Sequence, residues 1–283
     1  MKKLGILHPG EMGISIAASA QNSGCEVYWV SEGRSIQTHT RAEEHNLKDA
    51  LTMSNLCQTC DLIVSVCPPG VAEEVSKQVL AAGFRGVYLD ANAISPQRAM
   101  TIGQAFAKCS TDFVDGSIIG GPAWQPGRTW LYLSGEKAHQ VVEYFSQGPI
   151  ETEEIGDDIG KASALKMCFA AYTKGTTALL SAILAASDEL GVRDELERHW
   201  SRADAAFPAQ TQQRVQHVTA KAWRFEGEMK EIASTLASVS IPAGFHIAAA
   251  EIYHRMAGFK NAAETPKLAD VLEALLLNPA NLD

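Results

Sequence analysis

The chain has 283 residues, 46% of them hydrophobic, which is enough for two domains with cores of their own. Its formal net charge of −9 and pI near 5.4 argue against a nucleic-acid partner, so a few local groups must hold any anionic ligand. The N-terminus starts directly in a core strand, and the longest apolar stretch contains Lys166 and Lys174. We therefore expect no signal peptide, no membrane span, no metal site and a cytoplasmic location.

Short apolar strands alternate with helices in the first half of the chain. The predicted strands are Leu4–His8, Glu26–Val30, Leu62–Val66, Gly86–Asp90, Phe113–Ile118 and Trp130–Ser134. The predicted helices are Met12–Ser23, Val71–Ala82 and Pro96–Ala107. This alternation predicts an α/β fold with a Rossmann-type, doubly wound parallel sheet.

From about residue 160 the pattern is helical to the end. The predicted helices are Lys161–Leu190, Asp194–Ala205, Ala209–Ala222, Glu226–Ala237, Ala243–Ala257 and Leu268–Leu276. We therefore expect a dinucleotide-binding domain, residues 1–158, followed by an all-α domain, residues 159–283, with the active site in the cleft between them.

The turn after the first strand has the shape of a dinucleotide-binding βα turn. Gly10 and Gly13 stand three apart where the helix begins, and His8 stands where the fingerprint has its first glycine. A bare backbone at Gly10 lets a pyrophosphate approach the helix N-terminus, and Gly13 lets the helix pack closely on the strand. The predicted contacts of the turn are His8, Pro9, Gly10, Glu11 and Met12, although a plain tight turn is the alternative.

The segment after the second strand should contact the adenosine ribose. Glu32 suits a free 2′-hydroxyl, whereas Arg34 with Ser31 and Ser35 suits a 2′-phosphate. We favour NADP(H) over NAD(H); a solvated turn is the alternative.

Later strand ends lie at the edge of the sheet where open α/β folds bind ligands. Cys67, Pro68 and Asn92 are candidate cofactor contacts there. Ser95 is either a substrate contact or the N-cap of the helix that starts at Pro96.

Lys166 lies on the apolar helix beside Ala162, Ala170 and Thr173 at helical spacing. A lysine on such a face needs a polar partner or a depressed pKa, which is the environment of a catalytic lysine. A lysine that extends to solvent is the alternative.

These segments resemble the β-hydroxyacid dehydrogenase and 6-phosphogluconate dehydrogenase superfamily. The turn ending in Gly10-Glu11-Met12-Gly13 is similar to its first motif, and Val114–Gly121 to its substrate loop, which implies substrate contacts at Gly120 and Gly121. Gly156–Lys166 is similar to its catalytic-lysine motif, which implies Lys166 as general acid or base. Gly227–Ile232 is similar to a late segment that implies a cofactor contact at Lys230.

The C-terminal half resembles the domain of unknown function DUF1932. The resemblance rests on Lys166–Gly175, Ala222–Met229 and Ile241–His246. It implies a 6-phosphogluconate-dehydrogenase-like cofactor domain joined to a helical domain, and by analogy a homodimer.

Three polar positions of the superfamily are apolar in this chain. Ala93, Ile119 and Ala170 stand where it has Ser or Thr, Ser and Asn, unless Ser95 replaces the first. We therefore expect a wider, less polar pocket. The candidates to rebuild it are Trp124, Arg128, Tyr172, Thr173 and His246. Each has a packing or surface role as its alternative.

The expected function is hydride transfer between a nicotinamide and a small hydroxy-acid-like alcohol or carbonyl, with Lys166 moving the proton. An imine reductase is one alternative, because fewer polar anchors suit a bulkier, less charged substrate. A decarboxylating sugar-acid dehydrogenase is disfavoured by the same losses. The alternative from a different functional class is a non-catalytic NADP(H) sensor with a partner protein. Such a sensor would not need the amine of Lys166.

Overall fold

The computed structural model describes residues 1–260 and 262–276. The chain divides into two compact units, Met1–Met167 and Cys168–Asp283. The division falls within one long helix, some residues after the change of pattern near residue 160.

Unit 1 is built on an eight-stranded sheet of the order β3-β2-β1-β4-β5-β6-β7-β8. The strands are β1 Lys3–Leu7, β2 Glu26–Trp29, β3 Lys48–Asp49, β4 Leu62–Ser65, β5 Val87–Asp90, β6 Asp112–Gly120, β7 Thr129–Ser134 and β8 Glu151–Glu154. All neighbouring pairs are parallel except β6 and β7. The predicted Rossmann-type sheet is confirmed, and its one antiparallel pair follows from the short connection between β6 and β7.

The helices of unit 1 cover both faces of this sheet. They are α1 Glu11–Asn22, α2 Ile36–Glu44, α3 Met53–Thr59, α4 Ala72–Ala81, α5 Pro96–Lys108 and α6 Ala138–Val142. One apolar core contains Ile14 of α1, and the other contains Phe106 of α5. The sequence analysis missed α2, α3, α6, β3 and β8, which are short or polar; α2, for example, buries only Ala42.

A single long helix, α7 Lys161–Glu189, begins in unit 1 and continues into unit 2. Among the described helices, α7 is the one with the length and composition that would allow it to cross a membrane. Core helices of globular proteins pass the same test, and 44% of its apolar window is buried in the protein.

Unit 2 is helical throughout its described residues, as predicted. After α7 it contains α8 Arg193–Trp200, α9 Phe207–Ser238, α10 Gly244–Arg255 and α11 Leu268–Leu276. The two predicted helices Ala209–Ala222 and Glu226–Ala237 are one helix, which corrects the prediction. The apolar face is continuous across the expected break, because Phe225 is buried and packs edge-on against Tyr253 at 5.4 Å.

Candidate functional site

The turn between β1 and α1 takes the conformation of a glycine turn without its first glycine. His8 has φ +71°, in the left-handed region that glycine adopts most easily. The backbone N–H of Gly10 donates to the His8 carbonyl oxygen at 2.7 Å. A Cβ on Gly13 would lie 2.4 Å from the same oxygen, so only glycine fits there.

The start of α1 is left uncapped by side chains. Gly10 is the N-cap residue, makes no side-chain cap, and faces open space where a Cβ would stand. The first N–H groups of a helix have no acceptor within the helix, so they are available to a ligand. Pro9 is buried, Met12 packs against the core, and the side chain of Glu11 is exposed. The three residues can therefore contact a ligand mainly through their backbone.

The segment after β2 forms a tight turn that presents Arg34. The N–H of Arg34 donates to the Ser31 carbonyl at 3.1 Å, and Gly33 has φ +72°. Burial lowers the pKa of the half-buried Arg34, and its Nε has no hydrogen-bond partner in the described chain. Glu32 is exposed. The hydroxyl of Ser35 caps α2 by accepting from Thr38 N–H at 3.3 Å. Ser35, which the sequence predicts to be part of a phosphate clamp, therefore has a structural role in this helix.

Asn92 joins the ends of β4 and β5. Its Oδ1 accepts from the Cys67 N–H at 2.5 Å, and its Nδ2 donates to the Ser65 hydroxyl at 3.1 Å. Pro68 directly follows Cys67 in this anchored loop. Asn92 thus fixes the loop that carries the predicted cofactor contacts. Ser95 is buried at the N-cap position of α5, but its side chain makes no capping bond.

Two buried carboxyl groups lie side by side on β5 and β6. Asp90 and Asp115 are register partners and are each 1% exposed. Burial raises the pKa of Asp90 from 3.8 to about 7, and its Oδ2 has no partner in the described chain. Burial also raises the pKa of Asp115, although four hydrogen bonds oppose that shift.

Asp115 anchors the first turn of α7. Its Oδ2 accepts from the N–H groups of Gly160 at 2.9 Å and Ser163 at 3.0 Å, and from the Ser134 hydroxyl at 3.2 Å. Its Oδ1 accepts from the Ser163 hydroxyl at 2.6 Å. A carboxylate at a helix N-terminus satisfies N–H groups and interacts favourably with the helix dipole. The sequence analysis gave Asp115 no role of its own.

Lys166 is tied to the same strand. Its Nζ donates to the carbonyl oxygen of Ile118 at 2.6 Å, three residues after Asp115 on β6. The predicted polar partner of this lysine is therefore a backbone carbonyl, directly before the Ile119-Gly120-Gly121 segment.

The loop after β6 contacts α1 and the end of α2. Gly120 has φ +125°, and the Ala123 N–H donates to the Ser15 hydroxyl of α1 at 2.9 Å. Trp124 stacks on His45, the C-cap residue of α2, at 5.3 Å. Its placement fits the loop-packing alternative.

The candidates in unit 2 have local partners. The Thr173 hydroxyl donates to the Phe169 carbonyl, and Tyr172 is 75% exposed. His246 is buried with Nε2 3.4 Å from the Ala171 carbonyl, and its Nδ1 has no partner in the described residues. Lys230 is exposed and pairs with Glu226 at 2.6 Å one turn away. For Lys230 this is the geometry of a surface ion pair.

The sequence analysis missed a buried ion pair in unit 2. Lys174 donates to Glu228, and their side chains are 18% and 10% exposed. The Lys174 ammonium also lies 4.1 Å from the centre of the Phe225 ring. Burial lowers the pKa of Lys174, and the Glu228 carboxylate opposes that shift.

Comparison with known families identifies both parts of the chain. Residues 3–141 match the NAD binding domain of 6-phosphogluconate dehydrogenase, and residues 187–256 match the domain of unknown function DUF1932. An uncharacterized 28.5 kDa protein of Methanothermus fervidus is 28% identical over 194 residues, which are 69% of this chain and 74% of that protein.

Solved structures share the fold over nearly the whole chain. A conserved protein of unknown function, described as similar to 3-hydroxyacid dehydrogenases, has 25% identity and TM-score 0.69, covering 97% of this chain and 100% of its own. The 3-hydroxyisobutyrate dehydrogenase of Salmonella typhimurium has 17% identity and TM-score 0.71, with coverages of 96% and 99%. A variant imine reductase of Myxococcus stipitatus has 19% identity and TM-score 0.56, with coverages of 98% and 100%.

Proposed function

We propose that this chain, which belongs to the proteins joining a 6-phosphogluconate-dehydrogenase-type NAD-binding domain to a DUF1932 domain, is an NAD(P)-dependent oxidoreductase. Its reaction would be hydride transfer between the nicotinamide and a small hydroxy-acid-like alcohol or its carbonyl. The observation that carries the proposal is Lys166, whose amine is fixed on β6 through the Ile118 carbonyl while Asp115 anchors the start of its helix.

The residues of the β1–α1 turn fit a dinucleotide. The uncapped N-terminus of α1 and the open face of Gly10 leave N–H groups and space for a pyrophosphate. Arg34 supplies a half-buried cation at the ribose end, which supports NADP(H) over NAD(H). The same carboxyl edge of the sheet would be lined by the other predicted cofactor contacts, Pro9, Glu11, Met12, Ser31, Cys67, Pro68 and Asn92. When bound, the nicotinamide supplies the hydride acceptor or donor.

The chain itself would supply position and a proton. In the oxidative direction the Lys166 amine would take the proton from the substrate hydroxyl, and in the reductive direction it would return it to the oxygen. The carbonyl of Ile118 holds Nζ at a fixed point by accepting from it.

An imine substrate is the second candidate. Ile119 and Ala170 stand where the superfamily that this chain resembles has polar residues. Ala170 is buried, and it lies on the same face of α7 as Lys166. An apolar lining of this kind suits a C=N substrate of low charge better than a carboxylate.

The test is turnover by the wild-type protein and Lys166→Met across matched panels of 3-hydroxy acids, alcohols and cyclic imines. We expect Lys166→Met to bind cofactor with unchanged affinity and to lose about 100-fold or more in kcat. Preference for acids or imines selects between the two substrate classes. If both proteins bind cofactor and neither turns over any compound, a non-catalytic NADP(H) sensor replaces the enzyme.

A homodimer in the cytoplasm completes the proposal. It rests on analogy with the family and on exposed apolar side chains of unit 2, such as Tyr172, Leu190 and Ile247 at 75%, 74% and 59% exposure. Sedimentation equilibrium would measure the mass directly, and a monomer at micromolar concentration would contradict it.

A further inference from the structure

His8 is a costly residue for its position. The turn requires φ +71°, which glycine adopts freely and a histidine side chain adopts only at a conformational cost. The tight bond from Gly10 N–H to the His8 carbonyl and the contact limit at Gly13 fix the turn, so the histidine cannot relax to another conformation. A side chain kept at such a position calls for a role that glycine cannot fill.

The imidazole lies in the electrostatic neighbourhood of Arg34. Burial, with the Arg34 charge as the smaller cause, lowers the pKa of His8 to about 4, and a hydrogen bond with the Leu7 backbone opposes that shift. The ring is therefore neutral at pH 7. Its Nδ1 is buried without a hydrogen-bond partner in the part of the chain described by the structure.

Arg34 has the complementary problem. Its Nε is also buried without a partner among the described residues, and a charge interaction with the Cys67 thiol acts on its pKa beside burial. Burial raises the pKa of that thiol to about 12, so it is neutral at pH 7 and provides no counter-charge. The buried Nε of Arg34 and the buried Nδ1 of His8, each without a hydrogen-bond partner among the described residues, lie at the carboxyl ends of the neighbouring strands β1 and β2.

Two further features make this corner favourable to an anion. The helix α2 starts at Ile36, two residues after Arg34, and its N-terminus adds the positive end of a nine-residue helix dipole. Glu32 is exposed to solvent. An anion with several acceptor oxygens would satisfy both buried nitrogens at once.

We propose that His8 is a specificity-determining residue that forms, with Arg34, the pocket for the 2′-phosphate of NADP(H). This inference rests on the proposed function and deepens it, since it assigns the preference for NADP(H) to a residue of the glycine turn itself. A phosphate oxygen accepts from the guanidinium and from the imidazole, and its negative charge stabilises the protonated ring.

The test compares NADPH, NADH and 2′,5′-ADP binding by fluorescence or calorimetric titration. His8→Gly restores the residue that φ +71° favours, and His8→Asn keeps a polar side chain that tolerates the left-handed region. We expect His8→Gly to weaken NADPH and 2′,5′-ADP about tenfold, with NADH unchanged or tighter. Asn46→Gly, at an exposed residue with φ +53°, is the matched control for the backbone effect.

The outcomes separate the two claims. If wild-type protein binds neither dinucleotide, the proposed function fails together with this inference. If it binds NADPH and His8→Gly leaves the ratio of NADPH to NADH affinity unchanged, the proposed function stands and the role of His8 is refuted. A second readout is the histidine C2 proton spectrum, in which the His8 resonance, identified by its absence in His8→Asn, should shift with 2′,5′-ADP and not with 5′-ADP.

Discussion

Two lysines eight positions apart on α7 are held by opposite kinds of partner. Lys166, in unit 1, donates to a main-chain carbonyl of β6, which has no formal charge. Lys174, in unit 2, donates to the Glu228 carboxylate and lies over the Phe225 ring. A buried ion pair brings two formal charges together, whereas a backbone carbonyl contributes a dipole. The comparison shows that two lysines on one helix can be held by a neutral dipole or by a formal charge.

Removing each ammonium group should have different effects. Lys174→Met leaves the Glu228 carboxylate buried without its partner, which we expect to cost about 3–5 kcal/mol of unfolding free energy. Lys166→Met, the matched control, removes a bond to a carbonyl and should cost about 1 kcal/mol. Urea titration measures both. Restoration of stability by Lys174→Met combined with Glu228→Leu would support this account, and equal costs for the two single variants would contradict it.

Asp90 should make the stability of unit 1 depend on pH. Its pKa is raised from 3.8 to about 7, so between these values the unfolded chain has lost a proton that the folded protein keeps. Stability therefore falls as pH rises through this window, and it levels off above it. Asp90→Asn mimics the protonated group and should gain up to about 4 kcal/mol relative to wild type between pH 4 and pH 7. A difference that does not vary with pH would show that Asp90 ionises normally in the fold.

Asp115→Asn tests the anchor of α7 near Lys166. The amide keeps one acceptor oxygen but cannot receive all four bonds, and it removes the charge at the helix N-terminus. We expect a loss of about 2–3 kcal/mol in stability. Acylation of Lys166, followed by mass spectrometry of its peptide, should change in rate relative to Lys174. Unchanged labelling would mean that the anchor does not position the amine.

Lys230→Ala should give the smallest effect. Its pair with Glu226 joins side chains that are 64% and 26% exposed, and such i,i+4 pairs contribute about 0.3–0.5 kcal/mol. NADPH titration of the same variant tests the cofactor contact predicted from the sequence. A tenfold or larger loss of affinity would establish that contact, and no change would reduce Lys230 to a surface residue.

The sequence predicts the local features of this protein well. The β1–α1 turn can be recognised in the sequence because Gly10 and Gly13 both contact the carbonyl group of His8, which is no more than five residues away. Helix α2 escapes prediction because it starts at an exposed Ile36 and buries one residue.

Long-range partners are the part that the sequence does not reveal. The acceptor of Gly160 and Ser163 is Asp115, 45 and 48 positions away, and the carboxylate of Lys174 is 54 positions away. No periodicity connects residues at such distances, since the sheet and helix packing bring them together. The stacking of Trp124 on His45 depends in the same way on how the loop folds over α1 and α2.

The left-handed backbone at His8 has a consequence for how such proteins are found. The turn requires a positive φ at its first position and a missing Cβ at Gly13, and only the second of these requires one particular residue type. A search that requires glycine at the first position would pass over this chain. A pattern written in permitted dihedral angles, admitting histidine, asparagine or aspartate there, would retain it and would bring divergent dinucleotide-binding turns into view.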